Sequence, residues 1–353
     1  MSMLKSKMQL SAIGLEIDAH EFRAVQLTKS AKGTSTLAWA IFPRQISNTN
    51  QTLGSLPEAE ELRWAAAILG RRGFVGNHVS IAPSTSACSS HAIELPPKES
   101  GAPIDQLARM EVARARKCGP EDFELGHWYL PAKGRTQESL AVACSRAVID
   151  DTIERYEKAG LIPVGIDLME LAIHRGTQVR SVEVDNEINA SLRIGWKSSL
   201  AVLTLGETVV YVRRIERGAS SVWELASKRY RLSPEAADVI VDDLSGDAHA
   251  ETYAKIRRAV WSGLANELTS ELDVALTYVS HAYRMAPFGK IRMSGYGALN
   301  SAIEERIAQV LGIPLACDSF VNLQGQTGSD EQSAASIGCR LSTAYGLAAR
   351  FDQ

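Results

Sequence analysis

Three short runs rich in apolar and β-branched residues, Ser11 to Ile17, Phe22 to Thr28 and Thr34 to Phe42, open the chain, with Ala31-Lys32-Gly33 as a turn between the last two. Runs of this length bounded by turn residues predict a three-strand meander. The pattern returns midway as Leu192 to Trp196, Ser199 to Leu205, a turn at Gly206-Glu207, and Val209 to Ile215. Two segments with the same strand and turn order predict an internal structural duplication, although their residues hardly match. Apolar residues at helical spacing predict helices over Pro57 to Arg72, Pro103 to Lys117, Ala147 to Ala159, and about Leu264 to Tyr283. Ala147 to Ala159 stops at Gly160, and Ser233-Pro234 supplies a capping hydroxyl ahead of a proline at a first helical position. Strand-like His127 to Leu130 and the helix before it lie between the runs Val79 to Ala82 and Leu140 to Cys144, which predicts an inserted subdomain. Lys290 to Met293 reads as a strand running through Ser294-Gly295-Tyr296-Gly297 into a helix with a capping box at Ser301 and Glu304. Near the end, polar Gln324 to Ser336 reads as a surface loop and Ala335 to Ala349 as a helix of small residues.

A chain of 353 residues exceeds what one core usually serves, so two lobes are also the expectation from length. With 38 basic and 41 acidic residues, its net charge of −3 gives no basic footprint for nucleic acid. Cys88, Cys118, Cys144, Cys317 and Cys339 are widely spaced without a Cys-x-x-Cys pair, and read as reduced, mostly buried thiols. Lys5 and Lys7 interrupt the N-terminal apolar residues, unlike a signal peptide, and no apolar run approaches the roughly 20 residues of a membrane span. Direct membrane insertion is therefore not expected. The seven His residues are scattered, without His-Glu-x-x-His spacing, so neither metal nor triad chemistry has a foothold.

The stretch Gly14-Leu15-Glu16-Ile17-Asp18 through Ala24-Val25 resembles the opening motif of the PilM family, the cytosolic actin-like component of type IV pilus machines. Glu94-Leu95-Pro96 with the following helix resembles that family's inserted subdomain, and Ala159-Gly160-Leu161 with Gly165-Ile166-Asp167 its return. Ser294-Gly295-Tyr296-Gly297-Ala298-Leu299 is similar to the family's glycine turn, and Tyr345 to Arg350 to its closing helix. The resemblance covers nearly the whole chain. It implies an α/β, two-lobed actin-like (ribonuclease H-like) ATPase fold, with a mixed five-stranded sheet and flanking helices in each lobe. The implied division is 1–185 for the first lobe, with an inserted small α/β subdomain over about 83–139, and 186–353 for the second.

In that fold, two glycine-containing turns grip nucleotide phosphates and an Asp at each organises Mg²⁺. Here Glu16 stands at the Asp position of the first turn and Asp18 at its Gly position. A carboxylate facing a polyphosphate is repelled by on the order of kcal/mol unless a cation intervenes. At the second turn, Leu192-Arg193-Ile194-Gly195 matches Val-Asp-Ile-Gly, so Arg193 replaces the Asp and Gly195 survives. A guanidinium carries donors and no acceptor, and so ligates no metal. Gly195, Ser294, Gly295 and Gly297 thus read as vestigial nucleotide turns and the chain as a pseudo-ATPase without a cofactor. Two readings of Glu16, Asp18 and Arg193 stand side by side: solvated turn residues, or an Arg193 that crosses the cleft to Glu16 or Asp18 in place of metal and nucleotide.

The resemblance also implies a non-catalytic scaffold of a type IV pilus or type II secretion platform, cytoplasmic and held at the inner membrane by a partner. That partner is a PilN-like single-span membrane protein whose cytosolic N-terminal peptide lies in a groove formed within about Val79 to Leu140. Trp128, Tyr129 and Leu130 are either its exposed apolar contacts or part of the core. An actin-like ATPase or kinase and an FtsA-like division protein are the alternatives, and self-association is left open. The missing carboxylate and glycine disfavour the enzyme. Ala335 to Ala349 lacks the basic amphipathic face of a membrane-targeting helix.

Overall fold

The computed structural model describes residues 9–31, 33–45, 56–131, 137–178, 186–242, 250–317 and 331–350. Lys32 of the first predicted turn, the N-terminal Met1 to Met8, and Gln324 to Asp330 of the predicted loop lie outside them.

The first lobe opens with strand β1 (Gln9–Leu10), which prolongs the line of β2 (Ile13–Ile17) along β3 (Glu21–Ser30); β3 also pairs antiparallel with β4 (Gly33–Pro43). Helix α1 (Ala59–Arg71) leads to β5 (His78–Ile81), which lies parallel to β2. The chain then leaves the sheet for β6 (Cys88–Glu94), α2 (Ile104–Arg116), β7 (Phe123–Tyr129) and β8 (Glu138–Ser145). It returns through α3 (Arg146–Lys158) to β9 (Ile162–Ile166), parallel to β5, and then α4 (Met169–Gln178). The strand order is β4-β3-β2-β5-β9, with β1 beside β3. Strands β6, β8 and β7 form a separate antiparallel sheet. The inserted subdomain therefore extends through Ser145, past the expected limit near 139, because β8 stays paired along its whole length.

The second lobe repeats the plan. A meander of β10 (Ile188–Ile194), β11 (Ser199–Leu205) and β12 (Thr208–Ile215) is followed by α5 (Ala219–Tyr230), α6 (Pro234–Asp242) and α7 (Ala250–Ala282). Then come β13 (Phe288–Gly295), α8 (Ser301–Leu311), β14 (Leu315–Ala316) and α9 (Glu331–Ala348). The order β12-β11-β10-β13-β14, antiparallel in the meander and parallel beyond it, matches the first sheet strand for strand.

Three details depart from the sequence pattern. Helix α7 begins well before Leu264, because Ile256, Val260 and Trp261 continue its apolar stripe upstream. Helix α8 is capped by Asn300, whose side chain accepts from the Ala302 N–H at 3.1 Å, and not by Ser301. The last departure changes the lobe division. Helix α9 lies on the first lobe, with Leu341, Ala344, Tyr345 and Ala348 packed on Val25 and Leu27, so the boundary 186–353 fails at its end.

Close backbone approach explains how α9 sits there. A Cβ at Gly14 of β2 would lie 2.0 Å from the Ala344 carbonyl oxygen, and one at Gly346 would lie 1.9 Å from that of Ala172 in α4. Across the lobes, Leu140, Met169 and Ile173 pack on Leu200, Val202 and Val209. An apolar interface therefore joins the two sheets beside the cleft.

Candidate functional site

Strand β2 ends in the turn at Asp18 and β10 in the turn at Gly195, so the duplicated topology sets the two turns against each other across the cleft. The Arg193 Nε donates to Glu16 Oε1 at 2.9 Å, and its Nη2 contacts both that oxygen and Asp18 Oδ2, the latter at 3.1 Å. The Asp18 carboxylate also accepts from the backbone N–H of Trp196 at 3.2 Å and of Ala19 at 2.6 Å. Each lobe thus contributes charge to one shared cluster. The Glu16 side chain is fully buried and that of Arg193 only 10% exposed, so neither is a solvated turn residue.

The cluster is larger than the sequence reading foresaw. Arg23 Nη1 donates to Glu16 Oε1 at 3.0 Å and Arg23 Nε to Glu21 Oε1 at 2.5 Å, while Arg340 of α9 pairs with the other oxygen of Glu21. Three carboxylates, Glu16, Asp18 and Glu21, therefore meet three guanidinium groups, Arg23, Arg193 and Arg340, in a buried cluster that is formally neutral. Burial alone would raise the carboxyls of Asp18 and Glu21. The facing Arg193 and Arg23, and Arg23 and Arg340, outweigh it and hold both below their ordinary range. Burial likewise opposes the charge on Arg23 and Arg193, and the carboxylates overcome it to raise both. Glu16 Oε2 has no hydrogen-bond partner among the described residues, so the charge balance is fuller than the hydrogen bonding.

A cue to Arg23 was present in the sequence. Glu16 and Arg23 are direct cross-strand partners, and Glu21 and Arg23 share one face of β3, whose first half is mostly apolar. Arg340 gave no cue, since only the fold brings α9 back to the first lobe.

Aromatic rings fill the space beside the charges. His20 stacks on Trp196 with centroids 4.0 Å apart, and Trp196 lies 5.5 Å from Tyr296. The guanidinium carbons of Arg23 and Arg340 lie 4.8 and 5.0 Å from the Tyr296 centroid, within cation–π range. Burial, reinforced by Glu21, pushes the Tyr296 phenol far up, so it stays neutral beside the carboxylates.

The family profile described as type IV pilus assembly protein PilM matches residues 14–351. The chain belongs to the PilM family. Among solved structures, one described as a PilM–PilN type IV pilus biogenesis complex aligns with a TM-score of 0.78 at 21% identity, over 97% of this chain and 99% of that one. The ethanolamine utilization protein EutJ from Carboxydothermus hydrogenoformans aligns with a TM-score of 0.50 at 12% identity, over 94% of this chain and 89% of that one. At these identities the likeness speaks to the fold, which is the actin-like ATPase fold. No curated protein matches the chain.

For a PilM-family chain, the question is how the glycine turns are used. A Cβ at Gly195 would lie 2.4 Å from the Ser198 carbonyl oxygen, so this glycine serves the turn's own closure. At Gly295 (φ +84°) and Gly297 (φ +60°), a Cβ would meet the Ile194 carbonyl oxygen and the Trp261 ring at 2.1 and 2.4 Å. Ser294 is fully buried opposite Arg193 in the sheet register. Gly195, Ser294, Gly295 and Gly297 thus all face protein atoms. The open part of the cleft, about 310 Å³, lies beside Arg193 toward Ser84, Thr85, Tyr156, Lys197 and Ser198. Among the described residues, no group of three or more His, Cys, Asp or Glu is placed to hold a metal. No helix among them is long and apolar enough to cross a membrane.

Trp128, Tyr129 and Leu130 have mixed surroundings. The Trp128 indole N–H donates to the Val209 carbonyl at 2.7 Å, tying the inserted subdomain to the second lobe, and Leu130 packs against both lobes. The Tyr129 hydroxyl donates to the Pro96 carbonyl at 2.7 Å within the subdomain. The outer sides of Trp128 and Tyr129 line a groove of about 910 Å³ with Ala102, Pro103, Asp105 and His127.

Proposed function

We propose that this PilM-family chain is a non-catalytic scaffold for type IV pilus assembly, whose lobes are held together by its own charges in place of Mg²⁺ and nucleotide. The observation that carries this is the Arg193 bridge to Glu16 and Asp18. The residues present do not fit a Mg-nucleotide. A metal bridging the turns needs negative charge that is not already offset, and here three guanidinium groups balance the three carboxylates in a neutral cluster, even though Glu16 Oε2 itself makes no hydrogen bond among the described residues. The Trp196 and Tyr296 rings, with centroids 5.5 Å apart, pack beside the charge cluster. In this reading, phosphoryl transfer lacks the free metal carboxylates it depends on.

A rigid platform is useful for what it holds. The solved PilM–PilN complex supports a PilN-like partner, and the groove beside α2 and β7 has a size suited to a short peptide with an apolar anchor. In this reading, the cytosolic N-terminal peptide of a PilN-like single-span protein docks there and holds the chain peripherally at the inner membrane of a pilus or related secretion machine. Fluorescence anisotropy with that labelled peptide, taken from the neighbouring reading frame, tests it. Saturable binding is expected, weakened at least about tenfold in Ala102→Trp, whose ring fills the groove; unchanged affinity in that variant removes the groove from the proposal.

A further inference from the structure

The sequence offered five isolated cysteines, yet the fold gathers four of them into two pairs. Cys88 and Cys144 are cross-strand partners on β6 and β8. The Sγ atoms of Cys317 and Cys339 lie 2.9 Å apart, although 22 positions separate them. Cys317 directly follows β14 of the second-lobe sheet, whereas Cys339 sits on α9, which packs on the first lobe. We propose that Cys317 and Cys339 form an oxidisable dithiol whose disulfide fastens α9 to the second-lobe sheet and so links the two lobes covalently.

The geometry favours this product over others. The sulfurs need to close by only about 1 Å to reach bonding distance, so an oxidised Cys317 meets Cys339 before any thiol from outside. The Met293 and Ala298 carbonyls, 3.7 and 3.4 Å from the Cys317 sulfur, hold it facing α9. Exposure divides the roles. Cys339 is fully buried and Cys317 only partly, so a small oxidant reaches Cys317 first and Cys339 resolves it.

With hydrogen peroxide, the Cys317 thiolate attacks one oxygen and the O–O bond breaks. The departing hydroxide takes up the thiol's proton as water, leaving a sulfenic acid on Cys317. The Cys339 sulfur then attacks the Cys317 sulfur, the S–O bond breaks, and hydroxide leaves as water with the Cys339 proton. Two thiols give two electrons to one peroxide, which ends as two waters.

The neighbouring residue gives the bond its consequence. Arg340, next to Cys339, pairs with Glu21 in the interlobe cluster, so a disulfide would pin the helix that carries one of the six charges. This holds whether or not the cleft accepts nucleotide.

The test treats the full chain with equimolar hydrogen peroxide, then alkylates, digests and maps linked peptides by mass spectrometry. The expected result is a Cys317–Cys339 linked pair within one chain, reversed by dithiothreitol, lost in Cys317→Ser and kept in Cys88→Ser. The oxidised chain should also melt a few degrees higher than the reduced one, as closing a loop of about 20 residues implies. Full alkylation of both cysteines, linkage confined to Cys88 and Cys144, or over-oxidation of Cys317 without a link would each overturn the proposal. Because Cys317 is partly exposed, Cys317→Ser should fold, and its circular dichroism spectrum checks that.

Discussion

The six charges in the cleft are worth more as a set than one by one. Taking a guanidinium and a carboxylate out of water costs several kcal/mol per ion, and only mutual attraction with further hydrogen bonds recovers it. Such a set contributes little net stability when intact and a great deal of instability when broken. Arg193→Ala, which leaves Glu16 and Asp18 buried with less compensation, should lower unfolding free energy by about 3–5 kcal/mol in a urea titration. Arg193→Lys should recover only part of this, because one ammonium cannot present Nε and Nη2 to two carboxylates. A loss below about 1 kcal/mol for Arg193→Ala would show that water replaces the bridge. Of these residues, Glu16, Asp18 and Arg193 were readable in the sequence because each breaks a motif it otherwise follows. Glu21 and Arg23 were signalled only by their charge within a mostly apolar strand, and Arg340 was hidden by its distance along the chain.

Elements were easier to read than their partners. The two meanders, α2, α3 and the strand before Gly295 follow from period and turn chemistry, which are local properties. The placement of α9 is not local. Its small residues read as a helix of unspecified position, and their purpose appears only where Gly14, Gly176 and Gly346 let backbones touch. A Cβ at Gly176 would lie 2.0 Å from the Ser342 carbonyl oxygen, so α4 and α9 exchange close contacts in both directions. Gly346→Ala should therefore cost at least about 2–3 kcal/mol, since backbone must shift to admit one methyl. Gly263→Ala on α7, where a Cβ meets nothing within 4 Å, should instead stabilise by about 0.5–1 kcal/mol. Equal effects in thermal melts of the two variants would contradict the packing given to α9.

At the scale of the whole molecule, the lobes meet through the charge cluster, the apolar interface below it, and His174. The His174 Nε2 lies 2.9 Å from the Glu207 carbonyl across the interface, and burial pushes its pKa down to about 4. The unfolded chain, with an ordinary His near pH 6.5, binds the proton that the folded chain refuses. Stability should thus be unaffected by this group above about pH 6.5 and fall as pH drops from there toward 4, by on the order of 3 kcal/mol. A His174→Gln variant should show a flatter decline over that window, measured by urea midpoints; an identical slope would remove His174 as the cause.

Closure of the proposed kind needs no nucleotide. A ligand that binds the folded state and not the unfolded one adds about 2.7 kcal/mol of stability at a hundred times its Kd, and so raises the melting temperature. Differential scanning calorimetry of the full chain with and without millimolar Mg-ATP therefore tests the cleft directly. The predicted result is a single melting temperature unchanged by nucleotide, with or without Mg²⁺. A Mg²⁺-dependent rise in that temperature would show that the turns at Asp18 and Gly195 still open to a nucleotide, and would contradict the reading of Arg193 as its replacement.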